Sequence, residues 1–193
     1  MRICAACGCP ASVDPTRCGW CGAALQASSS VSFVLERTPD GFSWNHEGTL
    51  VAEAATVHGV WQIQDSRRRR VVTLMPLAPT AGEVSPESKG ELALIGPTAR
   101  LIGTIDRVEA VWGRADATAR DGAGHRVLVM RGDGPTGAHI VDHLGEIVAI
   151  ASWDEQHRHT DLLVTAKGAR QPLSFVFGLV LAIELDRQAG RPV

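Results

Sequence analysis

The C-terminal stretch of residues 173–185 places the strongest constraint on the fold, because it is apolar on nearly every side. Only Ser174 and Gly178 interrupt the apolar run of residues 173–183. The preceding Pro172 is typical of the first turn of a helix. A helix of this length spans about 20 Å, which is too short to cross a bilayer comfortably. A helix without a polar face must be enclosed, so we expect a helix at about residues 172–186 inside a closed or nearly closed β-barrel.

Three segments share the order strand, aspartate, turn, strand, and each predicts an antiparallel hairpin. The aspartates are Asp65, Asp121 and Asp142, each followed by a short polar turn and a second apolar run. An aspartate side chain accepts hydrogen bonds from N–H groups of the turn that follows it, which explains its place at the first turn position. Repeated hairpins of this length are typical of an antiparallel meander and not of a parallel α/β sheet.

Further strands are predicted from short apolar runs bounded by turn residues. They cover residues 31–35, 91–95, 99–108, 109–115 and 161–166. Residues 76–89 are rich in Pro, Gly and Ser and predict a surface loop. The fold class is therefore mainly β: an antiparallel barrel that encloses a hydrophobic C-terminal helix, preceded by a small zinc ribbon whose residues are described next.

Two matched cysteine pairs near the N-terminus predict a metal site. Two residues separate the members of each pair, and a glycine follows each pair: Cys4 with Cys7, and Cys18 with Cys21. Two such knuckles supply four thiolates to one tetrahedral Zn²⁺, and four thiolates leave no open position for catalysis. Two disulfides are the alternative. We expect no signal peptide before Cys4, and a cytosolic chain keeps its thiols reduced, so one structural zinc is favoured.

The predicted domain organisation has three parts. Residues 1–26 form the zinc ribbon, residues 27–30 a Ser-rich linker, and residues 31–187 the barrel with its helix. The ribbon holds few large apolar side chains, too few to offset the entropy of ordering the chain. Metal binding is therefore expected to supply its folding free energy.

The only strong basic run is a set of four consecutive arginines: Arg67, Arg68, Arg69 and Arg70. They are interpreted either as a contact for lipid headgroups or nucleic-acid phosphate, or as a solvated hairpin turn that keeps a sheet edge soluble. The formal net charge of the whole chain is −2. This charge argues against a general phosphate-binding surface, since chains devoted to nucleic acid usually carry a basic excess.

With these features the chain resembles the tubby-like superfold: the tubby C-terminal domain, the phospholipid scramblases and the LURP-one-related proteins. The likeness rests on the three aspartate hairpins, the strand at residues 99–105 and the terminal segment 171–187. It implies a twelve-stranded antiparallel barrel around a hydrophobic C-terminal helix, over residues 31–187. An N-terminal zinc ribbon is not part of this resemblance. No motif transfers the phosphoinositide contacts of tubby to positions in this sequence.

These observations predict a non-enzymatic binding or docking protein, because no catalytic triad, P-loop or dinucleotide fingerprint is found. We expect the barrel to contact an anionic membrane surface or a protein partner. The alternative is a nucleic-acid-associated regulatory protein that uses the zinc ribbon as its reader. No apolar run reaches about 18 residues, so we expect no transmembrane segment and a cytoplasmic protein, peripheral to the membrane where lipid is its ligand.

The zinc prediction is tested by metal analysis. Protein purified without chelator should carry one zinc per chain, and Cys18→Ser should lose it because the metal then has only three of its thiolates. Cys9→Ser is the matched control, since Cys9 lies outside the paired spacing. Metal-free protein, or zinc retained by Cys18→Ser at the level of the control, would contradict the prediction.

Overall fold

The computed structural model describes residues 30–77, 88–109, 115–133, 136–153, 159–165, 167–168 and 173–189. The predicted zinc ribbon, with its four cysteine ligands, and nearly all of the predicted linker lie outside the described residues.

Twelve strands and one helix follow one another along the described chain. The first six strands are β1 Val31–Thr38, β2 Gly41–His46, β3 Thr49–Val57, β4 Val60–Asp65, β5 Arg70–Pro76 and β6 Ser88–Ile95. The remaining elements are β7 Leu101–Glu109, β8 Ala115–Asp121, β9 Arg126–Gly132, β10 Gly137–Asp142, β11 Ile147–Trp153, β12 His159–Val164 and the helix α1 Leu173–Ala189.

The strands form a closed antiparallel barrel in which each strand pairs with its neighbours in the sequence. β12 pairs with β1 and closes the barrel, with Val31 opposite Val164 and Leu35 opposite Thr160. The predicted fold class, a mainly β barrel with a C-terminal helix, is confirmed. Because the chain runs alternately up and down, every second hairpin turn lies at the same end of the barrel.

The strand predictions differ from the structure in two places. β2 and β3 were missed, because β2 begins with a glycine and the Ala-rich, Glu-containing sequence of β3 has weak strand propensity. The strand predicted over residues 109–115 is wrong as a single element. Glu109 is the last residue of β7 and Ala115 is the first residue of β8, and residues 110–114 lie outside the described chain.

The helix α1 fills the barrel, as its apolar sequence predicts. Residues 173–183 of the helix are buried throughout. The ring of Phe177 contacts Phe33 at a centroid distance of 5.2 Å and Trp44 at 5.1 Å, both in edge-on geometry. Gly103 in β7 leaves room for Phe175, since a Cβ at this position would lie 2.6 Å from the phenylalanine ring. Side chains of the sheet and the helix therefore form one core.

The helix extends three residues beyond its predicted end at residue 186. Two residues of this last turn bind the barrel: an oxygen of Asp186 accepts a hydrogen bond of 2.6 Å from the guanidinium of Arg107 in β7, and the guanidinium of Arg187 lies over the Trp153 ring. The predicted first residue, Pro172, lies outside the described chain. Among the described residues, no helix combines the length and the apolarity needed to cross a bilayer.

A leucine pair tests whether the helix is a core element. Leu179→Ala should lower the free energy of unfolding by about 2–5 kcal/mol, because it leaves a cavity in a closed core. The control Leu163→Ala should change it by less than about 0.5 kcal/mol, since Leu163 lies on the outer face of β12. Urea denaturation measures both. A Leu179→Ala loss no larger than that of the control would contradict an enclosed helix.

Candidate binding surface

The three predicted aspartate turns share one geometry. In each turn, one carboxylate oxygen of the aspartate accepts hydrogen bonds from the backbone N–H groups two and four residues further on. These bonds measure 2.9 and 2.9 Å at Asp65, 2.9 and 2.9 Å at Asp121, and 2.9 and 3.0 Å at Asp142. The aspartate side chain thus accepts hydrogen bonds from two backbone N–H groups of its turn, as the sequence predicted.

The backbone of these turns requires a positive φ at the third residue after the aspartate. Gly124 and Gly145 fill this position with φ of 85° and 81°, whereas the first turn places Arg68 there with φ of 59°. A fourth turn, between β6 and β7, repeats the backbone hydrogen bonds with Gly96 in the place of the aspartate and Ala99 at φ 60°. The sequence predicted strands on both sides of this fourth turn but not its shared geometry, because the turn lacks the aspartate.

All four turns lie at one end of the barrel, because they join alternate strand pairs of an up-and-down meander. The helix α1 begins at the same end, where Phe175 approaches Gly103 near the start of β7. The first turn of the helix contains no acidic residue. The positive pole of the helix dipole is therefore not offset by a side chain of that turn.

The four arginines predicted as a lipid or phosphate contact lie on the turn between β4 and β5, and their side chains differ in what they bind. The guanidinium of Arg69 donates to the buried carboxylate of Asp65 at 2.7 and 2.8 Å. Arg70 donates to the backbone carbonyl of Pro97 at 2.7 Å and so joins its turn to the next one. The Arg68 side chain is 86 % exposed and lies 3.9 Å from Glu53, while Arg67 is exposed at the turn. All four reach solvent, but two are also held by the barrel.

Three further arginines join this run at the same end of the barrel. Arg100 lies on the neighbouring turn, and Arg120 and Arg126 flank the turn after that; all three are exposed. We call residues 65–70, 96–101 and 120–126 the arginine rim. It contains seven arginines and two aspartates, a net charge of +5, in a chain whose formal net charge is −2. The structure thus concentrates positive charge that the overall composition conceals.

Asp121 remains ionised within this rim. The pKa of its carboxyl group is lowered from the ordinary 3.8, chiefly by the backbone N–H of His125 and further by the N–H of Ala123. A lowered pKa means that the charged form is favoured in the folded protein, so its stabilising effect is present above the unfolded pKa and is lost as the pH falls through the folded value. At neutral pH Asp121 therefore contributes its negative charge to the rim.

The opposite end of the barrel is closed by a buried carboxylate. One oxygen of Glu184, near the end of α1, accepts hydrogen bonds from the indole N–H of Trp153 at 2.6 Å and the hydroxyl of Thr160 at 2.7 Å. The guanidinium of Arg187 lies 4.5 Å above the Trp153 ring. These contacts fix the helix against β11 and β12, so the polar groups at this end serve as structural anchors.

A groove of about 680 Å³ lies on the outer wall, across β8, β9 and β10. Its polar side chains include Asp116, Asp133 and His139, but they bond locally: an imidazole nitrogen of His139 lies 2.6 Å from Asp133, and Asp116 accepts the N–H of Gly132 at 3.0 Å. Within the described ranges, no three His, Cys, Asp or Glu side chains are placed to share a metal ion. The arginine rim is therefore the stronger candidate surface.

The barrel is similar to a crystal structure of a protein from Arabidopsis thaliana. The two have a TM-score of 0.62 at 14% sequence identity, over 91% of this chain and 98% of the other. At this identity the likeness shows the fold alone. No family model matches the sequence, and no curated protein matches it. The twelve-strand antiparallel barrel expected from the tubby-like resemblance is confirmed, while membership of that superfold stays a resemblance.

The aspartate turns can be tested at Asp142, which is a buried residue. Asp142→Ala should lower the free energy of unfolding by about 1–3 kcal/mol, because the N–H groups of Leu144 and Glu146 lose their acceptor. Asp142→Asn keeps an oxygen at the same place and should lose clearly less. Urea denaturation distinguishes them. Equal losses for the two variants would show that the turn hydrogen bonds are not the source of the stabilisation.

Proposed function

We propose that this protein is a non-enzymatic binding protein whose arginine rim docks onto an anionic membrane surface. The observation that carries the proposal is the collection of seven exposed arginines on three adjacent turns at one end of a rigid barrel. Arginine near an anionic bilayer contributes about 1 kcal/mol per residue, so several arginines on one face support reversible attachment. The tubby-like resemblance is consistent with a binding role but supplies no ligand.

Arg68 supports a role for this surface beyond stability. It occupies a left-handed backbone position that two sister turns fill with glycine, which costs a non-glycine residue about 1 kcal/mol. Its side chain makes one loose ion pair, at 3.9 Å, and is otherwise directed to solvent. Backbone strain is often found at functional positions, so an exposed arginine at a position that favours glycine is a candidate binding residue.

The N-terminal segment completes the proposal. We propose that Cys4, Cys7, Cys18 and Cys21 hold one structural zinc and that the resulting ribbon is a docking module for a protein partner. A nucleic-acid-associated protein is the second candidate function. The +5 charge of the arginine rim is the observation that favours it, since phosphate of either origin would be attracted.

Arg68→Gly separates stability from binding in one variant. It should raise the free energy of unfolding by up to about 1 kcal/mol, because glycine adopts the positive φ without steric cost. It should also weaken binding to phosphatidylserine-containing vesicles about fivefold, the equivalent of one arginine contact of about 1 kcal/mol. Urea denaturation and vesicle co-sedimentation are the two measurements.

Three controls test whether vesicle binding depends on the arginine rim and on lipid charge. Arg37→Ser removes an exposed arginine near the opposite end of the barrel and should leave vesicle binding unchanged. Pure phosphatidylcholine vesicles should not bind the wild-type protein, and binding to anionic vesicles should weaken with salt because exposed charges are screened. The contrary outcome is a wild-type protein that fails to bind anionic vesicles and binds a DNA or RNA oligonucleotide through the same arginines. That result would replace the lipid proposal with the nucleic-acid one.

A further inference from the structure

The end of the barrel that carries the arginine rim also carries half of the large exposed apolar side chains among the described residues. These are Leu50 at 41 %, Leu101 at 50 %, Leu144 at 72 % and Ile147 at 46 % exposed. Leu144 lies within the turn between β10 and β11, and each of the other three lies at the start of a strand, next to its hairpin turn. The exposed apolar residues of this set therefore project near the turns and not from the middle of the barrel wall.

Basic and apolar residues share this end of the barrel with acidic side chains such as Glu47 and Glu146, of which Glu146 pairs with Lys167. In the order of the strands, Leu144 on the β10–β11 turn is followed by Arg120 and Arg126, then by Arg100 with Leu101. The four-arginine turn comes next, and Leu50 lies beyond it on β3. The leucines are thus spaced by arginines and do not form the contiguous apolar centre that is typical of a protein–protein interface.

This arrangement favours a lipid bilayer over the other anionic partners. In the interfacial layer of a membrane, arginines meet headgroup phosphates while neighbouring apolar side chains reach the acyl boundary. Phosphate of DNA or RNA offers no acyl region in which protruding leucines could be buried. An exposed leucine beside an arginine is therefore explained by a bilayer and left unexplained by a nucleic acid.

We propose that Leu101 and Leu144 insert into the interfacial region of an anionic bilayer when the arginine rim docks on it. The inference rests on the proposed function and deepens it, since it identifies the partner as a bilayer. The leucines supply the apolar contribution to binding, which salt does not screen. The arginines bring the barrel to the surface through charge, and the leucines hold it there through burial of apolar area.

The double variant Leu101→Ser/Leu144→Ser tests this proposal. Its binding to phosphatidylcholine vesicles that contain phosphatidylserine should be at least about fivefold weaker than that of the wild type, and the loss should persist in high salt, because binding scales with the apolar area inserted. Met75→Ser is the matched control: Met75 is 40 % exposed near the opposite end of the barrel. It should bind like the wild type. Circular dichroism and thermal melting verify that all variants are folded.

A second measurement reports insertion directly. In a Leu144→Trp variant, brominated acyl chains in anionic vesicles should quench the fluorescence of the new tryptophan. The wild-type protein gives the quenching of the native tryptophans, which is subtracted. Normal vesicle binding by the Leu101→Ser/Leu144→Ser variant, together with the weaker binding expected for Arg68→Gly, would overturn the insertion and leave the proposed function intact. Wild-type protein that binds no anionic vesicle would overturn both.

Discussion

The structure depends on the mutual burial of the helix and the barrel. Residues 173–183 present no face to water, so the helix is stable only within a closed sheet. A twelve-stranded barrel without the helix would in turn leave its inward side chains without packing partners. Close approach at Gly103 and Gly178 lets the two layers meet without a gap. Neither element is an independent unit, and the turns at both ends are held by this shared core.

The sequence contained much of this fold in local signals. The apolar circumference of residues 173–185 predicted both the helix and its enclosure, and the three aspartates predicted hairpins whose hydrogen bonds are as expected. Local signals failed where propensity and context disagree: Ala52 and Ala54 of β3 are buried in the barrel core, so burial overrides their weak preference for strands. The last three residues of the helix, 187–189, were not predicted, because the contact of Arg187 with the Trp153 ring joins residues far apart in the chain.

The candidate surface was only partly predictable for the same reason. The run of Arg67 to Arg70 is visible in the sequence, but its convergence with Arg100, Arg120 and Arg126 depends on the closed strand order. The net charge of −2 pointed away from anionic ligands because composition averages over both ends of the molecule. Segregation of charge is a property of the fold. The leucines of the same end have no sequence signature, since an isolated leucine after a turn is unremarkable before its neighbours in space are known.

The pairing of the first strand with the last has a consequence for synthesis on the ribosome. The barrel cannot close until β12 has emerged, and its core is absent until the helix that follows has emerged as well. Each growing hairpin meanwhile exposes an apolar inner face and an open sheet edge, which are aggregation hazards. The order of elements therefore delays closure of the barrel until the helix has been made, and the first hairpins wait longest for their partners.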